Sequence, residues 1–419
     1  MIELQATITT RQLAERARDA AVALRGCTPE QKTRAIQAMA RGLIQNADRI
    51  LAANARDVAA ARANGMGNAK ADRLTLTEAR LKDMAAGLDA VATLPDPIGK
   101  TFSSAVVESG MQVERVRVPL GVILFIYEAR PNTTADAAAI CLKASNAIIL
   151  RGGSEAKESN GAIVSVLSEA LTSEGLPADA IQTVPFYDHA SVNELLGMND
   201  LIDLVIPRGG ETLIRTVAQH STIPVLKHYK GVCYVYVDAS ADLDMAEEIV
   251  FNSKVQRPAV CNASEHLLVH EAVAAQFLPR MAARLNMVEL RGDDASRQII
   301  PTMQPATEAD WSEEYLDLIM GVKVVSDVDE AISHINRYSS HHTDTIVSSD
   351  EAAARSFLAQ VDSASVLWNA STRMADGGQV GLGAEIGIST DKLHARGPMG
   401  VDELTSYKWV IVGTGQIRK

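Results

Sequence analysis

The chain has 419 residues, and its 40 Lys and Arg against 52 Asp and Glu give a formal charge of −12 at pH 7. That balance excludes a basic nucleic-acid reader, and 47% hydrophobic with 22% charged residues excludes disordered and collagenous chains. Length alone predicts two or three domains, each able to bury a core.

Arg11, Glu15, Arg16, Arg18, Asp19 and Arg25 interrupt the first thirty residues, and no apolar run approaches the length of a membrane span. A cytoplasmic protein with no membrane partner is expected. The four cysteines, at 27, 141, 233 and 261, contain no CxxC and form neither a disulfide framework nor a zinc knuckle.

The opening hundred residues are helical in period. Thr28-Pro29-Glu30-Gln31 reads as a capping box with proline at the first helical position. Ile36, Met39, Leu43, Ile44, Ala47, Ile50 and Leu51 follow as one inward stripe of one helix. Between about 102 and 118 the period shortens to alternation around Ser109-Gly110, which predicts a two-stranded ribbon.

Strands are then expected at Val122–Tyr127, Ala147–Arg151, Ile181–Pro185 and Leu201–Pro207, with helices at Ala135–Ala144 and Ala156–Glu174 between them. Continuous apolar strands separated by helices argue for a parallel, doubly wound α/β sheet. The pattern restarts after Gly231 with strand Val232–Val237, helix Leu243–Asn252, strand His266–Val269 and helix Ala272–Asn286. From Tyr407 to Val412 the tail is again strand-like, and it is expected to pair with the ribbon, across a subunit contact.

Two of these strands end in Arg-Gly-Gly. Arg151-Gly152-Gly153 precedes a helix opening at Ser154, and Arg208-Gly209-Gly210 precedes one opening near Glu211. Each reads either as a plain connection or as a phosphate cradle, in which glycine admits a ligand, the helix start offers free N–H groups and arginine adds a fork. Gly381-Leu-Gly383-Ala-Glu385-Ile-Gly387 is one residue too long for a dinucleotide fingerprint.

Among the cysteines, 27, 141 and 233 read as small apolar filler. Cys261 lies in a loop with Lys254 and Arg257 before it and Asn262-Ala263-Ser264 after it, a setting for a reactive thiol. No metal site is expected, since His266 and His270 sit on a strand and His341-His342 read as opposite faces of another.

These residues resemble the aldehyde dehydrogenase superfamily. Val118-Pro119-Leu120-Gly121-Val122, Ser145-Asn146 through Arg151, and Ala241-Asp242-Leu243-Asp244 are similar to its stretches, with Cys261 at the nucleophile's place. Tyr127-Glu-Ala-Arg130-Pro131-Asn132, Gly381 to Thr390, and His394-Ala-Arg396-Gly-Pro-Met-Gly400 resemble its γ-glutamyl phosphate reductase branch over nearly the whole chain.

The resemblance implies a Rossmann-like NADP(H) domain over 1–101 and 119–229, with 389–401 returning to it. It also implies an α/β catalytic domain over 230–388 and a β-ribbon oligomerisation element from 102–118 and 402–419. The implied reaction reduces L-glutamyl 5-phosphate with NADPH through a Cys261 thioester, in a homo-oligomeric enzyme (dimer or dimer of dimers) supplied by a glutamate 5-kinase. A hydrolytic or CoA-acylating enzyme of the same fold, or a non-catalytic scaffold, is the alternative.

For individual residues, the resemblance suggests Asn132 as an oxyanion partner. Arg151, Gly152, Gly153, Ser154, Arg208, Gly209, Gly210 and Glu314 would hold the cofactor, and Arg257, Asp376, Glu385 and Arg396 the substrate. In one departure, His228 stands where hydrolytic relatives carry the glutamate that activates water. Its imidazole is a candidate proton donor to the thiohemiacetal alkoxide.

Overall fold

The Thr28 hydroxyl accepts the Gln31 N–H at 3.2 Å while Gln31 Oε1 accepts the Thr28 N–H at 2.9 Å, so the capping box is present. The helix it starts, Pro29–Gln45, buries Ile36, Met39 and Leu43 but stops at Asn46, and a second helix, Ala47–Ala63, buries Ile50. The expected single helix is therefore two. Ile44 is 43% exposed, because Leu43 already fills the inward position and its neighbour falls about 100° round the axis.

This computed structural model describes residues 8–418, so the first seven residues of the predicted cofactor domain lie outside the described residues. The described residues form two compact units: 8–227 with Gly381–Gly387 and 399–418, and His228–Val380 with Ile388–Pro398. Of residues 389–401, expected with the cofactor half, 389–398 fall in the second unit. There Asp362 holds both Lys392, at 2.6 Å, and Arg396, at 2.8 Å.

In the first unit, β1 (Thr101–Val106), β2 (Gln112–Pro119) and the tail strand Thr405–Val412 form an antiparallel sheet with β2 in the middle. The tail does pair with the ribbon, but within one chain. One face stays open: Phe102, Trp409 and Ile411 are 47%, 59% and 57% exposed. The Arg115 guanidinium lies 4.8 Å from the Phe102 ring and 5.5 Å from that of Trp409.

The same unit holds a four-stranded parallel sheet of β3 (Val122–Tyr127), β4 (Ala147–Arg151), β5 (Ile181–Thr183) and β6 (Leu204–Arg208), ordered β5-β4-β3-β6. All six residues of β3 are buried, as a strand covered on both faces requires. The order reverses at β3, so its carboxyl edge carries the crevice characteristic of doubly wound sheets.

The second unit is built on seven strands: β7 (Cys233–Val237), β8 (Ser264–His270), β9 (Glu289–Gly292), β10 (Gln304–Pro305), β11 (Ile319–Val325), β12 (Thr343–Val347) and β13 (Ser365–Trp368). They run parallel in the order β10-β9-β11-β8-β7-β12-β13. Separate apolar cores cover the two faces, one around Phe277 and Met320, the other around Tyr236 and Phe357. Among the described residues no helix is long and apolar enough to cross a membrane.

Candidate active site

The central strands of the second unit decide which side chains meet. Cys233 of β7 pairs with Ser264 of β8, and Tyr234 with Asp344 of β12. The loops entering these three adjacent strands therefore converge at their amino ends. They carry His228, Cys261 and His342, and one ligand-capable atom from each lies within 4.8 Å of the other two. The thiol thus sits at the amino edge of its sheet, away from the carboxyl edge usual for doubly wound folds.

Cys261 is half-buried, in a turn between helix Leu243–Val255 and β8. Gly231 makes room for it, since a Cβ there would stand 1.9 Å from the Cys261 carbonyl oxygen. The Gly231 N–H donates to Glu314 Oε1 at 2.8 Å, which fixes Glu314 beside the same backbone. Behind the loop, Cys233 Sγ donates to the Cys261 carbonyl at 3.2 Å. Burial pushes the thiols of Cys27, Cys141 and Cys233 up, which keeps them neutral.

His228 has its Nδ1 2.9 Å from the Ile388 carbonyl oxygen. A carbonyl can only accept, so Nδ1 carries the proton, which leaves Nε2 as the ring's other nitrogen to face the thiol's side. His342 was set aside in the sequence as one face of a strand. It actually precedes β12, is fully buried, and packs edge-on to His228 with ring centroids 5.3 Å apart. Its Nδ1 is 2.9 Å from the Thr343 hydroxyl. His341 turns away in a left-handed conformation, φ 60°, with Nδ1 2.7 Å from the Asp362 carbonyl.

Arg373 also escaped the sequence reading. Its guanidinium donates to the side-chain carbonyl of buried Asn262 and to Gln256, while burial and the neighbouring Arg257 hold its pKa below the usual value. This brings a half-buried cation next to the thiol's loop from 111 positions away in sequence. Nothing local in the sequence marks it.

The proposed substrate residues separate. Arg257 is exposed, and Asp376 is half-buried with Oδ1 accepting the Gly378 N–H at 3.0 Å. Arg396 spends its fork within the chain, giving Nη1 and Nη2 to Asp362 at 2.8 and 3.0 Å. Glu385 belongs to the first unit, half-buried. Asn132 is exposed in the first turn of helix Pro131–Lys143, also in the first unit.

At the first unit's sheet edge, register places Arg151 beside Ile126 and Arg208 beside Tyr127, so the two Arg-Gly-Gly turns flank the end of β3. Gly210 N–H donates to Glu128 Oε1 at 2.7 Å, and a Cβ at Gly209 would meet the same carboxylate at 2.8 Å. That helix start already faces an anion of the chain's own. At the other turn, Gly152 is required by packing, its Cβ position lying 2.2 Å from Asn160 Nδ2, and a Cβ on Gly153 would approach the Ala129 N at 3.2 Å. Ser154 opens the next helical turn.

Arg151 fits a phosphate group. Its Nη2 donates to the Tyr187 carbonyl at 3.0 Å, but among the described residues its buried Nε has no hydrogen-bond partner. Burial lowers the guanidinium's pKa, against the raising influence of Tyr187, Glu155 and Asp188.

The sequence profile of the aldehyde dehydrogenase family matches residues 4–318, and the chain belongs to that family. Its members use nicotinamide cofactors. Within it, the chain belongs with the γ-glutamyl phosphate reductases. It is 54% identical to the γ-glutamyl phosphate reductase of Moorella thermoacetica over 97% of each chain, and 53% identical to that of Geobacter metallireducens over 98% of each. The crystal structure of the γ-glutamyl phosphate reductase from Thermotoga maritima superposes with a TM-score of 0.96 at 44% identity, covering 98% of this chain and 100% of that one.

Proposed function

We propose that the chain reduces L-glutamyl 5-phosphate to L-glutamate 5-semialdehyde and phosphate, with NADPH as reductant and Cys261 as nucleophile. The observation that carries this reading is the grouping of a half-buried thiol with two imidazoles within 4.8 Å and no carboxylate among them. In the first step the Cys261 thiol loses its proton to His228 Nε2 and attacks the acyl carbon; the C–O bond to phosphate breaks and a thioester remains. The Cys261 backbone N–H supports the tetrahedral oxyanion, and one such donor is worth about 3 kcal/mol. Asn132 as a second donor rests on the resemblance alone.

The nicotinamide supplies hydride when bound. His228 then returns its proton as the thiohemiacetal collapses, releasing aldehyde and free thiol. With no carboxylate at position 228, and with His228 holding the proton taken from the thiol, no base there activates water, so the thioester survives until it is reduced. Arg151 is the residue best suited to the adenosine 2′-phosphate, which favours NADP(H). Gly152, Gly153 and Ser154 would line that turn, and Glu314 would meet the nicotinamide ribose. Arg208 and Gly209-Gly210 would border it.

The reading also covers the setting of the enzyme. The open apolar face around Phe102, Trp409 and Ile411 is the surface a second copy would cover in a homo-oligomer. An acyl phosphate hydrolyses readily, so a glutamate 5-kinase working in the same cytoplasm must supply it.

The reaction run in reverse is the test: semialdehyde and NADP+, with and without phosphate, on the wild type and on Cys261→Ser. Reduction of NADP+ that needs both the thiol and phosphate is the expected result. Turnover without phosphate points to the hydrolytic alternative, and turnover by Cys261→Ser overturns the thioester.

A further inference from the structure

The three groups that converge at the amino ends of β7, β8 and β12 are also a ligand set. Cys261 offers sulfur, and His228 and His342 each offer an imidazole nitrogen, with the three donor atoms mutually within 4.8 Å. Two features beyond proximity bear on metal binding. His228 Nδ1–H is held by the Ile388 carbonyl, the outer-shell hydrogen bond that orients ligating histidines and fixes Nε2 as donor. His342 is fully buried and its Nδ1 is matched to the Thr343 hydroxyl, so its ring is positioned before any ion arrives.

One sulfur and two nitrogens with no oxygen ligand suit zinc, cobalt or cadmium and reject magnesium and calcium. Ligands of one tetrahedral zinc stand roughly 3.5 Å apart, so side-chain rotation of about 1 Å closes this set. Cys261 is half-buried, which leaves the ion a way in.

The geometry points to a reversible binding site for one soft divalent cation on His228, Cys261 and His342, with the fourth position left to water. Binding exchanges the thiol proton for a metal–sulfur bond. If Cys261 is the nucleophile, as proposed above, the occupied site also blocks acylation, and the cation is a chelator-reversible inhibitor competing with the acyl phosphate. The binding claim does not need that reading; only the inhibition does.

The test uses the full chain with no substrate. Co2+ added to the wild type should bind at one per chain, with a sulfur-to-metal charge-transfer band and tetrahedral visible bands. Zn2+ should displace it and Mg2+ should not. Cys261→Ser should lose the charge-transfer band, and His342→Gln should weaken binding by about tenfold or more. Because His342→Gln removes a buried group, a second measurement uses the wild type alone: Zn2+ should slow alkylation of Cys261, followed by peptide mapping, by about tenfold, and a chelator should restore it.

A cobalt spectrum unchanged in Cys261→Ser, or alkylation of Cys261 indifferent to Zn2+, overturns the site. If Zn2+ protects Cys261 while reverse turnover persists in Cys261→Ser, the metal site stands and the thioester reading falls. If turnover needs Cys261 but no cobalt spectrum forms, the reverse holds.

Discussion

Lys254 Nζ and Glu265 Oε2 stand 2.5 Å apart with neither side chain exposed, an ion pair sealed between the end of helix Leu243–Val255 and the start of β8. The pair spans the loop that carries Cys261. Desolvation pushes the Glu265 carboxyl up to about 7 in spite of its partner, so the pair is costly to hold. Removing one member leaves the other charge buried alone. Lys254→Met should cost about 3–5 kcal/mol in urea unfolding, and the double variant Lys254→Met/Glu265→Leu should recover most of it. Equal destabilisation by single and double variants would show that the residues act independently.

Gly231 lies against the backbone of Cys261, and a Cβ there meets a carbonyl oxygen rather than a flexible side-chain end. Gly231→Ala must displace the thiol's loop or the Glu314 contact. Stability should fall by about 1–3 kcal/mol, and the rate of Cys261 alkylation should change as well. A variant with an unmoved thermal midpoint and unmoved alkylation rate would contradict the packing described.

His266 and His334 sit among Tyr234, Trp311 and Tyr338, and burial lowers them to about 3 and about 4. A base depressed in the folded state binds its proton more readily when unfolded. Stability from these groups is therefore full above their ordinary value of 6.5 and is lost as pH falls towards 4. For His334 alone the loss is about 3 kcal/mol. His334→Phe should flatten the dependence of the urea midpoint on pH between these limits, and a parallel curve would remove His334 from the account.

His228→Glu places a carboxylate beside the thiol. Hydrolysis of the Cys261 thioester should rise and aldehyde yield should fall, measured as glutamate released per phosphate. Loss of activity with no hydrolysis would mean that the missing carboxylate at this position is not what spares the proposed intermediate.

Arg151→Ala removes the guanidinium whose buried Nε has no acceptor among the described residues. The KM for NADPH should rise by about tenfold or more while that for NADH changes little, since a bidentate charged contact is worth roughly 1.5–3 kcal/mol. Equal effects on both would reject a role at the 2′-phosphate.

Much of this was legible in the chain itself. Thr28, Pro29 and Gln31 announced a helix start through local hydrogen bonding, and Val122–Tyr127 and Ala147–Arg151 emerged with the bounds their apolar runs indicated. Cys261 stood out from the other cysteines by its immediate neighbours. His342 did not, because its partner is 81 residues away and the pairing of β7 with β8 and β12 alone brings them together. Arg373 on Asn262 is the same case. Gly152 and Gly209 were read for ligand approach, and the structure adds that Asn160 and Glu128 leave no room for a side chain.

The Thr28 cap, the bounds of Val122–Tyr127 and Ala147–Arg151, the candidate cysteine and the family were legible from residues adjacent in sequence, because hydrogen bonding, side-chain period and local charge act over a few positions. Which imidazoles face the thiol, and that Arg396 reaches Asp362 while Arg151 lies beside the end of β3, depended on strand order and burial. Those arise only when distant segments pack and each buried polar group must find its partner in space.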